Sequence, residues 1–137
     1  MWILFAFGSA LFAGLTSVLA KCGIKKTDSD AATAIRTIVV LIFSWLMVWI
    51  VGSAPTITGL SAKTWIFLIL SGIATGASWL CYYKALQDGL ASVVVPIDKL
   101  SILVSIGFSA LVFKERLSKK AAVGLVLIVG GTLMMLI

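Results

Sequence analysis

The sequence predicts an all-α integral membrane protein with five transmembrane helices, and three observations carry that reading. Of its 137 residues, 61% are hydrophobic and only 12% are charged, a balance foreign to soluble domains. The charges gather in short segments between long apolar runs. Those runs approach ~20 residues, enough to cross a ~30 Å hydrocarbon core at 1.5 Å per residue, and they lack the alternation of ~10-residue barrel strands.

The first helix covers residues 2–20, where no charge interrupts Trp2 to Ala20, and it ends as Lys21, Lys25, Lys26, Asp28 and Asp30 follow. Trp2 and Ile3 come directly after Met1, with no basic leader and an apolar stretch longer than a signal-peptide core, so this helix is expected to be retained. The second helix covers residues 31–51 with Arg36 near its start; Gly52, Ser53, Pro55 and Gly59 then give a turn-rich connection. The third, residues 65–86, is closed by Asp88 and Gly89, which suit a helix end and tight turn. The fourth covers residues 90–113 and the fifth residues 119–137, parted by the charged stretch Lys114 to Lys120, in which Ser118 is the expected N-cap. No internal repeat is visible, so the chain reads as one domain, residues 1–137.

Loop charges are balanced across the membrane. One face carries Lys63, Lys114, Arg116, Lys119 and Lys120; the other carries Lys21, Lys25, Lys26, Lys84 and, if it is interfacial, Arg36. An excess of Lys and Arg normally fixes the cytoplasmic side, and here neither face has it. Either one loop dominates insertion, or the chain inserts both ways up and two copies pair as an antiparallel homodimer, with the inverted symmetry that many transporters build from internal repeats.

Within the spans, helix four holds the strongest candidate residues. Asp98 lies ~12 Å from a helix start near Leu90, close to the midplane. A central charge costs ~2.5–3.5 kcal/mol on insertion scales, so it needs a polar partner, water or a proton. Lys99 is adjacent, but neighbouring residues of a helix point ~100° apart, so simple mutual neutralisation is not expected. Asp98, Ser101, Ser105 and Ser109 recur at spacings of three and four on one face. Two readings stand for this stripe: close helix packing through small hydroxylated residues, or the wall of a wet solute pathway. Lys99 either joins that pathway or snorkels toward the helix end. Pro96 predicts a kink just before the charges.

On helix three, Gly72, Gly76, Trp79 and Tyr83 share a face, with Thr75 and Tyr82 beside it. The rings suit stacking on a flat or cationic substrate, or, for Tyr82 and Tyr83, anchoring at the interface near Lys84. Arg36 suits either lipid phosphate or an anionic substrate group. Gly124 and Gly131 fall on one face of helix five, fit for close helix contact. The candidate substrate-binding residues are therefore Asp98, Lys99, Trp79, Tyr82, Tyr83, Arg36, Ser101 and Ser105.

Other classes find no support. There are two cysteines, Cys22 and Cys81, and no histidine, so neither a metal site nor a cofactor is expected. No nucleophile-and-base set or phosphate-cradling loop points to an enzyme. The net charge of +6 suits loops that meet anionic membrane lipid and gives no reason to invoke nucleic acid.

With the helices laid out, "YYKAL", "ASVVVPIDKLSILVSIGFSALVF", "KERLS" and "AAVGLVLIVGGTLMM" from Tyr82 to Leu136 resemble the second part of an EamA domain of the drug/metabolite transporter superfamily. The match is looser over the rest of the chain and includes Arg36; Glu115 falls at the family's acidic turn position and reads as a structural turn residue. The resemblance implies a secondary transporter of small organic solutes, a drug or metabolite, in a prokaryotic inner membrane. It also implies a partner, because typical members carry two inverted five-helix repeats. The four-helix small multidrug exporters of the superfamily rely on a glutamate in helix one, where this chain has only Ser9, Thr16 and Ser17. The "DK" after Pro96 likewise departs from the small or apolar residues of the pattern. An acid and a base within one helix suit zwitterionic, amino-acid-like solutes or proton-coupled movement. The expected function is alternating access by an antiparallel dual-topology homodimer; a small dual-topology ion channel and an accessory subunit of a heteromeric transporter are the alternatives.

Overall fold

A computed structural model describes residues 1–137. The chain forms α1 (Trp2–Gly23), α2 (Ser29–Val51), a short 3-10 helix (Ala54–Gly59), α3 (Ala62–Asp88), α4 (Ala91–Asp98), α5 (Ser101–Val112) and α6 (Lys119–Met134), with no strand. Four stretches are long and apolar enough to cross a membrane: α1, α2, α3 and the continuous run Ala91–Val112 made by α4 and α5. The fifth expected helix forms as α6, whose 16 residues reach only ~24 Å. Tight turns extend it, with the N–H groups of Leu136 and Ile137 donating to Leu133 and Met134 carbonyls.

Helix ends follow local chemistry. Helix α1 runs on to Gly23 because Lys21, at its carbonyl end, is favourable there. Helix α2 starts under Asp28 with Asp30 in its first turn, where negative charge meets the N-terminal dipole. It stops at Gly52, whose φ of 77° is left-handed. The Gly52 and Ser53 N–H groups then fold back onto Val48 O at 3.1 and 3.0 Å, and glycine is the residue that adopts this conformation freely. Helix α3 ends at Asp88, next to Gly89, where the sequence places a helix end. Helix α3 begins three residues earlier than the apolar run suggests because Ser61 Oγ accepts from Thr64 N–H at 3.3 Å. Ser118 caps α6 as its sequence predicts, its Oγ accepting from Ala121 N–H at 3.2 Å.

The chain divides into two compact units, one of Val18–Gln87 and the other of Met1–Ser17 with Asp88–Ile137. In the first, Ile24, Tyr83 and Leu86 are buried, together with Ser29 and Thr33. One end of this unit is tied by polar bonds. Gln87 Nε2 donates to Thr27 O at 2.8 Å and Ile24 O at 3.4 Å, and Lys21 Nζ donates to Leu86 O. These carbonyls follow or close helices and have no intrahelical donor; Ile24 O also takes the Thr27 N–H at 3.4 Å, so the side chains are the added donors at Thr27 O and Leu86 O. In the second unit, α4 packs against α6, Ser17 and Thr132 are buried and bond back to Ala13 O and Ile128 O, and no apolar side chain is buried. The helix contact expected at Gly124 and Gly131 is not made within the chain, since nothing lies within 4 Å of where a Cβ would stand at either.

Replacing Gln87 with Ala should lower the free energy of detergent-monitored unfolding by about 1–2 kcal/mol, because Thr27 O loses its donor and Ile24 O loses one of two. The exposed Lys63→Ala control should change it by less than about 0.5 kcal/mol; equal effects in an SDS-unfolding titration would show that the polar tie carries no stability.

Candidate functional site

In the Val18–Gln87 unit, α2 and α3 bring three of the candidate side chains together. The Arg36 guanidinium carbon lies 4.2 Å from the Trp79 ring centroid and 5.3 Å from that of Tyr83. Tyr82 adjoins them, its ring 6.0 Å from that of Tyr83 with the planes inclined at 37°. The register follows from the helix ends: Arg36 stands ~10 Å along α2 from Ser29, while Trp79 and Tyr83 stand ~14 and ~8 Å along α3 from Asp88. The guanidinium therefore lies at a level between the two rings, and it sits closer to the deeper one.

No carboxylate pairs with Arg36. Stacking on aromatic faces contributes ~0.5–2 kcal/mol, short of the ~2.5–3.5 kcal/mol that a guanidinium costs at a span centre. The rings attract the cation without cancelling its charge, and they offer no acceptor pair for its five N–H groups. Tyr83 is 2% exposed, and its hydroxyl is buried without a hydrogen-bond partner. Arg36 beside it can donate to the hydroxyl oxygen but cannot accept its proton, so what the cluster lacks is an acceptor, for the phenolic O–H and for the remaining guanidinium N–H groups.

Two expectations change here. The Trp79 and Tyr83 faces expected to receive a flat or cationic substrate are occupied by the chain's own cation, Arg36. Tyr83 is not an interfacial anchor either, because it is buried within its unit. Sequence reasoning treated Arg36 and the rings separately; their matched distances from the α2 start and the α3 end were the signal that joins them.

In the other unit, Asp98 and Lys99 mark the break between α4 and α5. Lys99 Nζ lies 3.5 Å from Asp98 Oδ2, which corrects the expectation that adjacent residues do not neutralise one another. That rule describes an uninterrupted helix. Here α4 ends at Asp98, and the flexible four-carbon stem of Lys99 curls back from the turn. The side chains remain 37% and 57% exposed for Asp98 and Lys99, so the pair is reachable and its attraction is partly screened.

Pro96 sits inside α4 rather than at a break before the charges. Lacking an N–H, it leaves Ser92 O without its usual donor. The bonding then tightens two residues later: Leu100 N–H reaches Ile97 O at 2.9 Å, Ile102 N–H reaches Lys99 O at 3.1 Å and Leu103 N–H reaches Leu100 O at 3.0 Å, all 3-10 spacings. Ser101 and Ser105, at the start of α5, are exposed. Their hydroxyls are not bonded back along the helix as those of Thr16, Thr37 and Thr75 are, at 2.7, 2.7 and 2.8 Å.

The Val18–Gln87 unit also has a hollow of about 250 Å³ against Trp45, Val48, Ile57, Leu60 and Trp65. It offers no charge to orient a solute. No group of His, Cys, Asp or Glu is arranged to hold a metal.

Comparison with known proteins gives the chain its place. The family model for EamA-like transporters matches residues 1–137. A Sinorhizobium sp. protein described as "Uncharacterized transporter in cobO 3'region" is 42% identical over 134 residues, covering 98% of this chain and 95% of that protein. An uncharacterised protein of Methanocaldococcus jannaschii is 30% identical over 103 residues, covering 69% of this chain and 75% of that one. No solved structure matches. Spans of membrane-crossing length and a family match along the whole sequence identify an integral multi-pass membrane transporter, and the chain belongs to the EamA-like transporter family.

Proposed function

We propose that this protein is a secondary transporter that moves a small organic solute across a prokaryotic inner membrane by alternating access, as an antiparallel homodimer of oppositely inserted copies. The observation that carries the reading is the Asp98–Lys99 pair at the break of a membrane-crossing helix. Intramembrane acids usually mark solute or proton paths, and broken helices are a recurrent way to expose polar groups at that depth. Asp98 is the one acid of the chain that lies away from the ends of its span, so it is also the residue through which proton coupling would act. Ser101 and Ser105 extend the same polar run, while Arg36, Trp79, Tyr82 and Tyr83 act in the other unit.

Support for the dimer comes from separate features. The Sinorhizobium relative is matched over 95% of its length, so it too is one repeat long. Removing Arg36 from the interfacial tally, as its stacking requires, leaves Lys21, Lys25, Lys26 and Lys84 against Lys63, Lys114, Arg116, Lys119 and Lys120, still without a dominant face. The open glycine face of α6 suits contact with a second copy.

Tyr83 supplies a means of switching. Its unpartnered hydroxyl disfavours the present conformation, and a solute-bound state that gives it a partner is favoured by the difference.

Three measurements check this reading. Reporter fusions at Met1 and at Ile137 should each divide between the two sides of the membrane; a single orientation for every copy excludes the antiparallel pair. In proteoliposomes, Asp98→Asn and Lys99→Ala should each cut saturable solute exchange at least tenfold with assembly intact, and unchanged exchange, or non-saturating conductance in its place, removes the site or points to a pore. Tyr83→Phe should leave stability equal or about 1 kcal/mol higher while slowing exchange.

A further inference from the structure

We infer that Arg36 is an anion receptor and that the transported solute carries a carboxylate next to a flat or apolar body. The inference rests on the transporter reading above and names its solute class. Three observations lead to it. The guanidinium has no acidic partner in the chain. Its central carbon lies 4.2 Å from the Trp79 ring centroid and 5.3 Å from that of Tyr83, so the cation is held between two rings before any ligand arrives. Beside it is the buried, unpartnered hydroxyl of Tyr83.

A planar guanidinium donates two parallel N–H bonds to the two oxygens of a carboxylate, which is the partner this unpaired cation lacks. A flat body then meets Tyr82, which is not fully buried. Amines are disfavoured, because a second cation against the same rings meets the Arg36 charge. Lipid phosphate offers the same oxyanion chemistry, but an arginine serving the headgroups snorkels outward. Arg36 instead lies nearer to Trp79, which is deeper along its helix than Tyr83.

The test uses full-length protein in phosphatidylcholine nanodiscs, which hold no anionic lipid, titrated calorimetrically with benzoate, benzylamine and phenyl phosphate. Benzoate is expected to bind saturably and at least tenfold more tightly than either of the others. Arg36→Gln should weaken benzoate at least tenfold, and Arg36→Lys should fall between, since it keeps the charge and loses the fork. Circular dichroism establishes that both variants keep their helices, and the ligand preference of the unaltered protein needs neither variant. Preference for benzylamine or phenyl phosphate, absence of saturable benzoate binding, or retention of it by Arg36→Gln overturns the assignment. So does loss of benzoate binding when phosphatidylglycerol is added, which would give the site to a lipid headgroup. Counterflow in proteoliposomes separates the two claims. Saturable exchange of another solute without benzoate binding rejects the carboxylate and keeps the transporter, whereas benzoate binding without any counterflow keeps the receptor and rejects transport.

Discussion

An ionised group within a membrane span has to be answered by something other than water, and that constraint governs the polar features of this protein. The chain meets it in two unequal ways. Asp98 is answered by an opposite charge 3.5 Å away, so the pair sums to zero. Arg36 is answered by the faces of Trp79 and Tyr83, which attract the cation without cancelling it. Stacking of ~0.5–2 kcal/mol against a penalty of ~2.5–3.5 kcal/mol leaves a shortfall. The Asp98–Lys99 pair therefore carries no net charge, whereas the Arg36 cluster keeps one.

The backbone obeys the same constraint. Hydrocarbon offers no donor or acceptor, so irregular backbone at membrane depth is tolerated only where protein or a wet cavity serves it. Around Lys99 the carbonyls of Ile97, Lys99 and Leu100 take 3-10 donors, which repairs most of the interruption. At the end of the Val18–Gln87 unit, Gln87 and Lys21 serve the same purpose for carbonyls that helices leave over. Side chains that look incidental in the sequence thus complete the hydrogen bonding of the fold.

Most of the helical layout was legible because its signal is one-dimensional. Length, absence of charge and a few caps placed α1, α2 and α3 to within three residues, and Ser118 caps α6 as its position promised. What escaped was short-range or two-body. A rule for regular helices hid the Asp98–Lys99 pair, since nothing in composition says that α4 stops at Asp98. The Arg36 stack needs two helices at matched depth, and neither helix alone reveals it. Helix α6 was expected to span fully, but its apolar run ends in turns from Met135, a distinction that hydropathy does not make. The Tyr83 hydroxyl was invisible for a different reason: orphaning is a property of surroundings, and sequence records only the group.

Charge arithmetic links the proposed antiparallel pair to the proposed solute. Within one copy, Asp98 and Lys99 cancel and Arg36 contributes one positive charge inside the spans. Pairing two copies doubles that excess, and a two-fold axis gives the second Arg36 surroundings identical to those of the first, so no carboxylate of the partner relieves one without relieving both. At low dielectric the repulsion between like charges is only weakly screened. Unless the partner presents an acid to each Arg36, the proposed pair would keep one positive charge on each side of its axis. An anion that binds one conformation better than the other would then supply the difference between states that the proposed alternating access needs.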